Sequence, residues 1–330
     1  MKISKTNKTK LFLTELGFGC GAIGGLYRAV DHRAAFEVLE TAWKEGIRYF
    51  DTAPFYGHGL AERRLGDFLQ SKKRNDFVLS TKVGKLLSPV HEDNIPDYGF
   101  VGALPFEAKF DYSYAGIMRS FEDSLQRMGM NRIDILYVHD LEPASFQGDE
   151  YHQHLDTFLS SGIEALNELK RAGDISAFGL GVNDITPCID VLNNADIDLL
   201  LLAGRYTLLD RTAEAQLLPL CKSKGVEIVV GGVFNSGILA TGAIPAAVFN
   251  YQPATDEVLA IVREMESVCA AKGAKLASAA LHFPLLNDSV VNVLIGTAKV
   301  SSLKRNIHQY HDGPSLELIN ELSNIVLSIK

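Results

Sequence analysis

Eight short runs rich in Val, Ile, Leu or Phe recur along the chain, near residues 14–19, 48–52, 77–82, 133–139, 177–182, 198–203, 226–231 and 291–295. Each is too short for a buried helix. Each lacks the polar alternation of a half-exposed strand, so it reads as a strand buried on both faces. Stretches with helical periodicity separate the runs. An alternation of strand and helix implies a parallel sheet. Eight repeats with no Ser/Pro-rich linker between them imply a closed (β/α)8 barrel, with residues 1–330 forming one domain.

The helical stretches carry their own punctuation. From 32 to 45, Phe36, Leu39 and Trp43 share a face, with Asp31 placed to cap the start and Gly46 the end. From 114 to 128, Ile117, Phe121, Leu125 and Met128 form a second stripe, closed by Gly129. From 256 to 271, Val258, Ile261, Val262, Met265 and Cys269 form a third. Helix-to-strand connections are short, as at Gly46–Ile47, Gly173–Ser176 and Gly225. Strand-to-helix connections are long after the third, fourth and seventh strands: 84–113, 140–160 and 232–255. In a parallel barrel all of these emerge at the C-terminal face, which marks it as the functional face.

Charge narrows the function classes. A net charge of -8 disfavours nucleic acid and anionic membranes as partners. Basic residues cluster only between Lys2 and Lys10, with no apolar stretch of signal length behind them, so this segment reads as a short solvated tail. No apolar run is long enough to span a membrane. Cys20, Cys188, Cys221 and Cys269 form no CxxC pair and read as reduced, buried thiols, so a cytoplasmic enzyme is expected. His152 and His154 form an HxH in a polar stretch without a third ligand nearby, so no metal is expected and both read as surface histidines. Gly19-Cys20-Gly21-Ala22-Ile23-Gly24 matches GxGxxG, but the next helical pattern starts only near Asp31. A dinucleotide turn needs its helix to begin inside the motif, so this is read as a flexible loop. The sequence leaves oligomeric state open.

Four polar residues sit where strands end. Asp51 closes Arg48-Tyr49-Phe50-Asp51, Tyr56 follows in the next loop, Lys82 closes Val78 to Lys82, and His139 closes Ile133 to His139. Each alone has a structural explanation: a helix cap, a rim cation, a core histidine. In a barrel they lie on the neighbouring second, third and fourth strands, and converge at one mouth. Together they suit proton exchange at a carbonyl or hydroxyl oxygen. A free tyrosine has a pKa of about 10, too high for ready exchange near neutrality. A cation at about 4 Å, with an effective dielectric of about 20, favours phenolate by roughly 4 kcal/mol, or about three pKa units. Lys82 can supply that cation, Asp51 can hold it charged, and His139 can orient the substrate oxygen. Proton transfer of this kind contributes about 10²–10⁴ in rate.

At these residues the chain resembles the aldo-keto reductases, from Leu16-Gly17-Phe18-Gly19 to Asn306. Phe50-Asp51-Thr52-Ala53 with Tyr56-Gly57, Ser80-Thr81-Lys82 and Val138-His139 match the family's Asp-Tyr-Lys-His tetrad. The resemblance implies a small-molecule oxidoreductase with Tyr56 as acid/base and a nicotinamide cofactor. It implies that Asn183, in Gly179-Leu180-Gly181-Val182-Asn183, holds the nicotinamide amide, and that Tyr206 stacks on the nicotinamide. It implies that Val233, Phe234, Asn235, Ser236 and Gly237 bind pyrophosphate, and that Gly296, Thr297, Ser302 and Asn306 bind adenosine. Ala203 departs from the family, many members of which carry Gln there. Members preferring NADP usually present Lys and Arg where this chain has Gly296 and Ser302, so NAD is expected over NADP.

Within the family, Gly204 to Leu209 and Gly231 to Leu239 look like segments of the L-fucose (D-threo-aldose) 1-dehydrogenases and pyridoxal 4-dehydrogenases, which oxidise a cyclic hemiacetal to a lactone. An aldose such as L-fucose or D-arabinose is the expected substrate; pyridoxal, or a general aldehyde or ketone, is the alternative. Tyr27, Phe55, Tyr98, Phe100 and Phe106 are candidate substrate contacts, and the 84–113 loop is expected to cover part of the pocket. Two readings from other classes are a Schiff-base lyase using Lys82 and a non-catalytic cofactor-binding regulatory subunit.

Overall fold

The computed structural model describes residues 1–325. In chain order its strands are β1 (Ile3–Lys5), β2 (Phe12–Thr14), β3 (Leu16–Gly19), β4 (Tyr49–Asp51), β5 (Val78–Val83), β6 (Lys85–Pro89), β7 (Phe106–Phe110), β8 (Ile135–His139), β9 (Ala177–Val182), β10 (Leu199–Ala203), β11 (Glu227–Gly231), β12 (Val248–Phe249), β13 (Gln252–Pro253) and β14 (Val290–Ile295). Eight of them close a parallel barrel in the order β3-β4-β5-β8-β9-β10-β11-β14. Each barrel strand falls within or beside one of the eight apolar runs. These strands are buried because helices cover them outside and side chains fill them inside. The helices begin as their caps dictate. Asp31 accepts from the Ala34 N–H at 2.8 Å ahead of His32–Lys44, and Ser113 and Thr255 cap Tyr114–Met128 and Asp256–Ala271 in the same way. On His32–Lys44 the buried face is Ala35, Val38, Leu39 and Ala42, while Phe36 sits at its edge against the Phe68 ring.

Inside the barrel, Tyr49, Ile135, Tyr137, Ala177, Leu199, Leu201, Val229, Val291 and Leu294 pack together with Leu13. Leu13 comes from β2, and this corrects the reading of the N-terminus. Residues 3–14 form an antiparallel hairpin, with Ile3 opposite Thr14, that plugs the bottom of the barrel. The hairpin turn is anchored to the barrel: Lys8 donates to Asp196 and to the Ile197 carbonyl, and the Asn7 N–H donates to the Glu227 carboxylate. The expected first strand breaks at Glu15, with the plug before it and the barrel strand after it.

The long C-terminal connections also carry more structure than expected. Residues 84–113 contain the β6–β7 hairpin, paired from Lys85 opposite Phe110 to Pro89 opposite Phe106. The 140–160 stretch includes a helix, Glu150–Thr157, so His152 and His154 are helical. His152 is exposed, but His154 is half-buried against Phe110, Tyr112 and Phe146. The third connection folds into the helix Ile238–Thr241 and the small β12–β13 hairpin. The GxGxxG segment is an ordered turn, with a 3-10 helix at Ala22–Gly24 and Cys20 and Ile23 fully buried. All four cysteines are free and buried. Among the described residues no helix is long and apolar enough to cross a membrane, and no cluster of His, Cys, Asp or Glu is placed to hold a metal.

Candidate active site

Parallel register sets the site. Asp51 pairs with Ser80, Lys82 with Tyr137 and His139 with Gly181, so three polar side chains leave adjacent strands at the same end of the barrel. Lys82 is 2% exposed and donates to Asp51 Oδ2 at 2.7 Å and to the Thr52 carbonyl at 2.8 Å. Asp51 Oδ1 accepts from Ser80 Oγ at 2.7 Å, and Ser80 continues to Tyr49 and Tyr137 in the barrel core. Gly181 leaves room beside this pair, where a Cβ would lie a tight 3.1 Å from Tyr137 and 3.4 Å from the Lys82 stem. From outside the barrel, buried Glu62 holds the Lys82 strand by accepting from Thr81 at 2.6 Å, and is itself braced by Arg127 at 2.5 Å.

Tyr56 joins this pair from the loop after β4. Its ring centroid lies 4.7 Å from Lys82 Nζ, which places the phenol beside the ammonium. The His139 ring meets it edge-on at 5.9 Å. The glycine-rich turn after β3 is what seats the Tyr56 loop. A Cβ on Gly24 would meet the Tyr56 backbone at 2.9 Å, and one on Gly57 would fall 2.2 Å from the Gly24 carbonyl.

The electrostatics follow from burial and pairing. Burial works against the Lys82 ammonium, but Asp51 and Tyr56 outweigh it and hold Lys82 above its ordinary range. The Asp51 carboxyl is raised by burial, with Lys82 and Ser80 opposing. Tyr56 is pushed up to about 12, because burial exceeds the downward pull of Lys82. Lys82 thus acts in the expected direction without winning, and Tyr56 stays a protonated donor through neutral pH. Burial also holds His139 well below its usual value, so the ring is neutral. Its Nδ1 is buried without a hydrogen-bond partner, which suits a lone pair there and the proton on Nε2. A Schiff base would need a free neutral amine, whereas Lys82 is charged and bonded.

Several residues at the mouth carried no sequence signal. Asp140 follows His139, and its carboxylate meets Lys85 Nζ at 2.5 Å. Lys85 lies over the Phe55 ring at 3.9 Å. Buried His58 packs beside Phe55, Tyr98 and Phe100 and hydrogen-bonds the Leu104 carbonyl, tying the 84–113 excursion to the loop after β4. Of the candidate substrate contacts, Phe55, Tyr98 and Phe100 come together, with ring centroids 5.2–5.6 Å from Phe55, and Phe100 reaches Tyr56 at 6.1 Å. Tyr27 is 67% exposed in a left-handed turn beside Leu26, which bridges to Phe100. Phe106 lies on β7 opposite Pro89, outside that ring cluster.

The candidate cofactor residues other than Tyr206 follow β9, β11 and β14, at the same end of the barrel. Glu142 accepts from the Asn183 N–H at 2.6 Å and from its side-chain amide at 3.1 Å. Val233 is buried and Phe234 half-buried. Asn235 Oδ1 accepts from Thr207 at 2.6 Å, tying the loop after β11 to that after β10. Ser236 Oγ accepts from the Tyr251 N–H at 3.0 Å. Asn235, Ser236 and Gly237 are all left-handed, at φ 44°, 59° and 104°. Gly296 is exposed beside Gly19, and Thr297 and Ser302 are half-buried nearby. Asn306 is 6% exposed, and its Oδ1 is a buried acceptor without a partner. Lys304 and Arg305 are exposed on the helix Val300–His311. Tyr206 departs from its expected place. It is 5% exposed and packs on Phe283 at 5.3 Å, beside Asn287 just ahead of β14. The turn at Gly204-Arg205 sends the aromatic into the wall, while Arg205 stays above it, donating to the Asn183 carbonyl at 2.6 Å and pairing with Asp210.

The family model for the aldo/keto reductase family matches residues 15–322. The chain belongs to the aldo-keto reductase family. It is therefore an oxidoreductase, and the hydride carrier of its family is a nicotinamide nucleotide. It is similar to a pyridoxal 4-dehydrogenase of Microbacterium luteolum, with 42% identity over 91% of this chain and 90% of the relative. It is similar to a D-threo-aldose 1-dehydrogenase of a Pseudomonas species, with 37% identity over 90% and 89% of the two chains. Among solved structures, the holo form of an aldo-keto reductase from Bacillus halodurans superposes with a TM-score of 0.79 at 26% identity, covering 100% of this chain and 97% of the other. This aldo-keto reductase thus has relatives named for different substrates, among them pyridoxal and a D-threo-aldose.

Proposed function

We propose that the protein is an NAD-dependent dehydrogenase that oxidises the cyclic hemiacetal of an aldose to a lactone. The observation that carries this reading is the Tyr56 ring, 4.7 Å from the Lys82 ammonium and edge-on to a neutral His139. Tyr56 is the acid/base: it takes the proton of the hemiacetal hydroxyl in oxidation and returns it in reduction. Lys82, locked by Asp51, stabilises the phenolate that must form. His139 donates from Nε2 to the reacting oxygen and orients it. Nicotinamide nucleotide, when bound, supplies the hydride acceptor. Asn183, the 233–237 loop, Gly296, Thr297, Ser302 and Asn306 would hold it, and the unpartnered Asn306 acceptor fits such a group. NAD is preferred because a 2′-phosphate needs paired cations. Gly296 and Ser302 supply none, and Lys304 and Arg305 point to solvent.

The aromatic wall of Phe55, Tyr98 and Phe100 would receive the apolar face of a sugar ring. Pyridoxal in its hemiacetal form is the second reading, favoured by that same wall and by the 42% identical relative. Turnover of L-fucose, D-arabinose and pyridoxal with NAD and with NADP, followed at the reduced-nicotinamide absorbance, tests the reading. Absence of turnover with every pair, despite tight nucleotide binding, would leave a regulatory cofactor-binding protein instead.

A further inference from the structure

The tetrad leaves a second buried ion pair unexplained. Lys85 is 5% exposed and Asp140 is largely enclosed, and the two meet at 2.5 Å beside the reacting groups. Asp140 holds φ 49°, a left-handed conformation that non-glycine residues adopt at a cost. Its side chain thereby faces His139 rather than continuing out of β8. Seven of the eight non-glycine residues with positive φ among the described residues lie on loops at this mouth, Lys10 in the plug being the exception. Left-handed residues of this kind cluster at active sites and ligand clamps.

We propose that Asp140, braced by Lys85, recognises the hydroxyl on the carbon next to the one oxidised. This rests on the hemiacetal reading above. Asp140 Oδ1 stands 3.5 Å from His139 Nε2, too far for a good hydrogen bond, so the Nε2 proton is free for the substrate. A reacting oxygen held by Nε2 brings its vicinal hydroxyl within reach of Oδ1. The four atoms then form a ring in which the carboxylate accepts from the second hydroxyl. Burial favours the neutral acid, but the Lys85 ammonium bonded to it, with Lys82 nearby, holds Asp140 below its ordinary range, so it is an acceptor at neutral pH. Lys85 can donate to the same hydroxyl oxygen, and its stacking on Phe55 keeps its amine at the pocket wall. A carboxylate that only oriented His139 would need a shorter contact. One that only neutralised Lys85 would not need the left-handed turn that sets its other oxygen beside His139.

The subsite predicts selectivity for a vicinal diol. L-Fucose should exceed 2-deoxy-L-fucose in kcat/KM by at least about tenfold, the value of one hydrogen bond to a charged group. In Asp140→Asn that ratio should fall toward one even if overall turnover drops, since a general loss affects both sugars equally. The double variant Asp140→Asn/Lys85→Met, which leaves no buried unpaired charge, should show the same collapse and guards against misfolding of the single variant. A wild-type ratio within threefold of one, or an unchanged ratio in both variants, overturns the proposal. Turnover of pyridoxal or simple aldehydes but no aldose overturns the subsite and leaves the oxidoreductase reading standing. No turnover of any carbonyl or hemiacetal overturns both.

Discussion

Replacing Asp51 with Asn keeps the shape of the side chain, removes its charge and turns one of its two acceptor atoms into a donor. Lys82 Nζ then sits 2% exposed with no counterion. At the observed 2.7 Å and an effective dielectric of about 20, the lost Coulomb interaction is about 6 kcal/mol. Breaking one side of a buried pair typically costs less, about 3–5 kcal/mol. With an unfolding entropy of about 2.1 cal/mol/K per residue over a chain of 330 residues, that loss lowers Tm by roughly 4–7 °C. The pH dependence gives the sharper signature. In the wild type, Lys82 is held above its unfolded value, so its stabilisation is complete below about pH 10.4 and is lost only as pH rises through the folded value. In Asp51→Asn, burial dominates and pulls Lys82 down. The unfolded chain then binds more protons, and stability rises with pH up to about 10.4. Thermal melts of both proteins from pH 6 to 10 should therefore show a gap that narrows toward alkaline pH. A variant with wild-type Tm, or with a gap that stays constant, would refute the claim that Lys82 is a buried ammonium dependent on Asp51.

Tyr56→Phe should lower turnover by about 10²–10⁴ while leaving nucleotide affinity, read by fluorescence titration, unchanged; near-normal turnover would exclude Tyr56 as the acid/base. With Tyr56 pushed up to about 12, oxidation should accelerate with rising pH across 6–10, whereas reduction, which uses the protonated hydroxyl, should not fall over the same range until the phenol begins to ionise; an oxidation rate independent of pH would count against this assignment. Ser302→Arg should raise the affinity for NADPH relative to NADH by about tenfold, because it supplies a missing 2′-phosphate partner; an unchanged ratio of the two affinities would mean that Ser302 does not face the ribose. Replacing residues 92–103 with Asn-Gly keeps the β6–β7 ladder, so folding should persist while KM for the preferred substrate rises; unchanged kinetics would mean the excursion does not line the pocket.

The barrel strands and principal helices were legible because their signals are local. Strands buried on both faces need unbroken apolar runs, and Asp31, Ser113 and Thr255 satisfy helix N–H groups within three residues of themselves. The positions of Asp51, Lys82 and His139 follow from the ends of those strands. The N-terminal hairpin was not legible, because lysines beside short apolar pairs look like a tail until Leu13 is seen to fill the barrel floor. The β6–β7 hairpin was hidden by the residues between its strands, since a pairing across that distance leaves no short turn signature. Tyr206 shows the limit of motif matching: its segment was recognised, but the turn at Gly204-Arg205 sends the side chain into the wall.

Sequence by itself determined the architecture and which strand ends carry polar groups, because hydrophobic periodicity and capping act over a few residues. Only the tertiary structure decided how those groups behave. Burial, which no single residue encodes, outweighs Lys82 and keeps Tyr56 protonated. Closure of the barrel and the left-handed turn at Asp140 bring that carboxylate and Lys85 to the mouth from separate loops. Desolvation and long-range pairing depend on what the rest of the chain places around a residue, so they exist only once the barrel has closed.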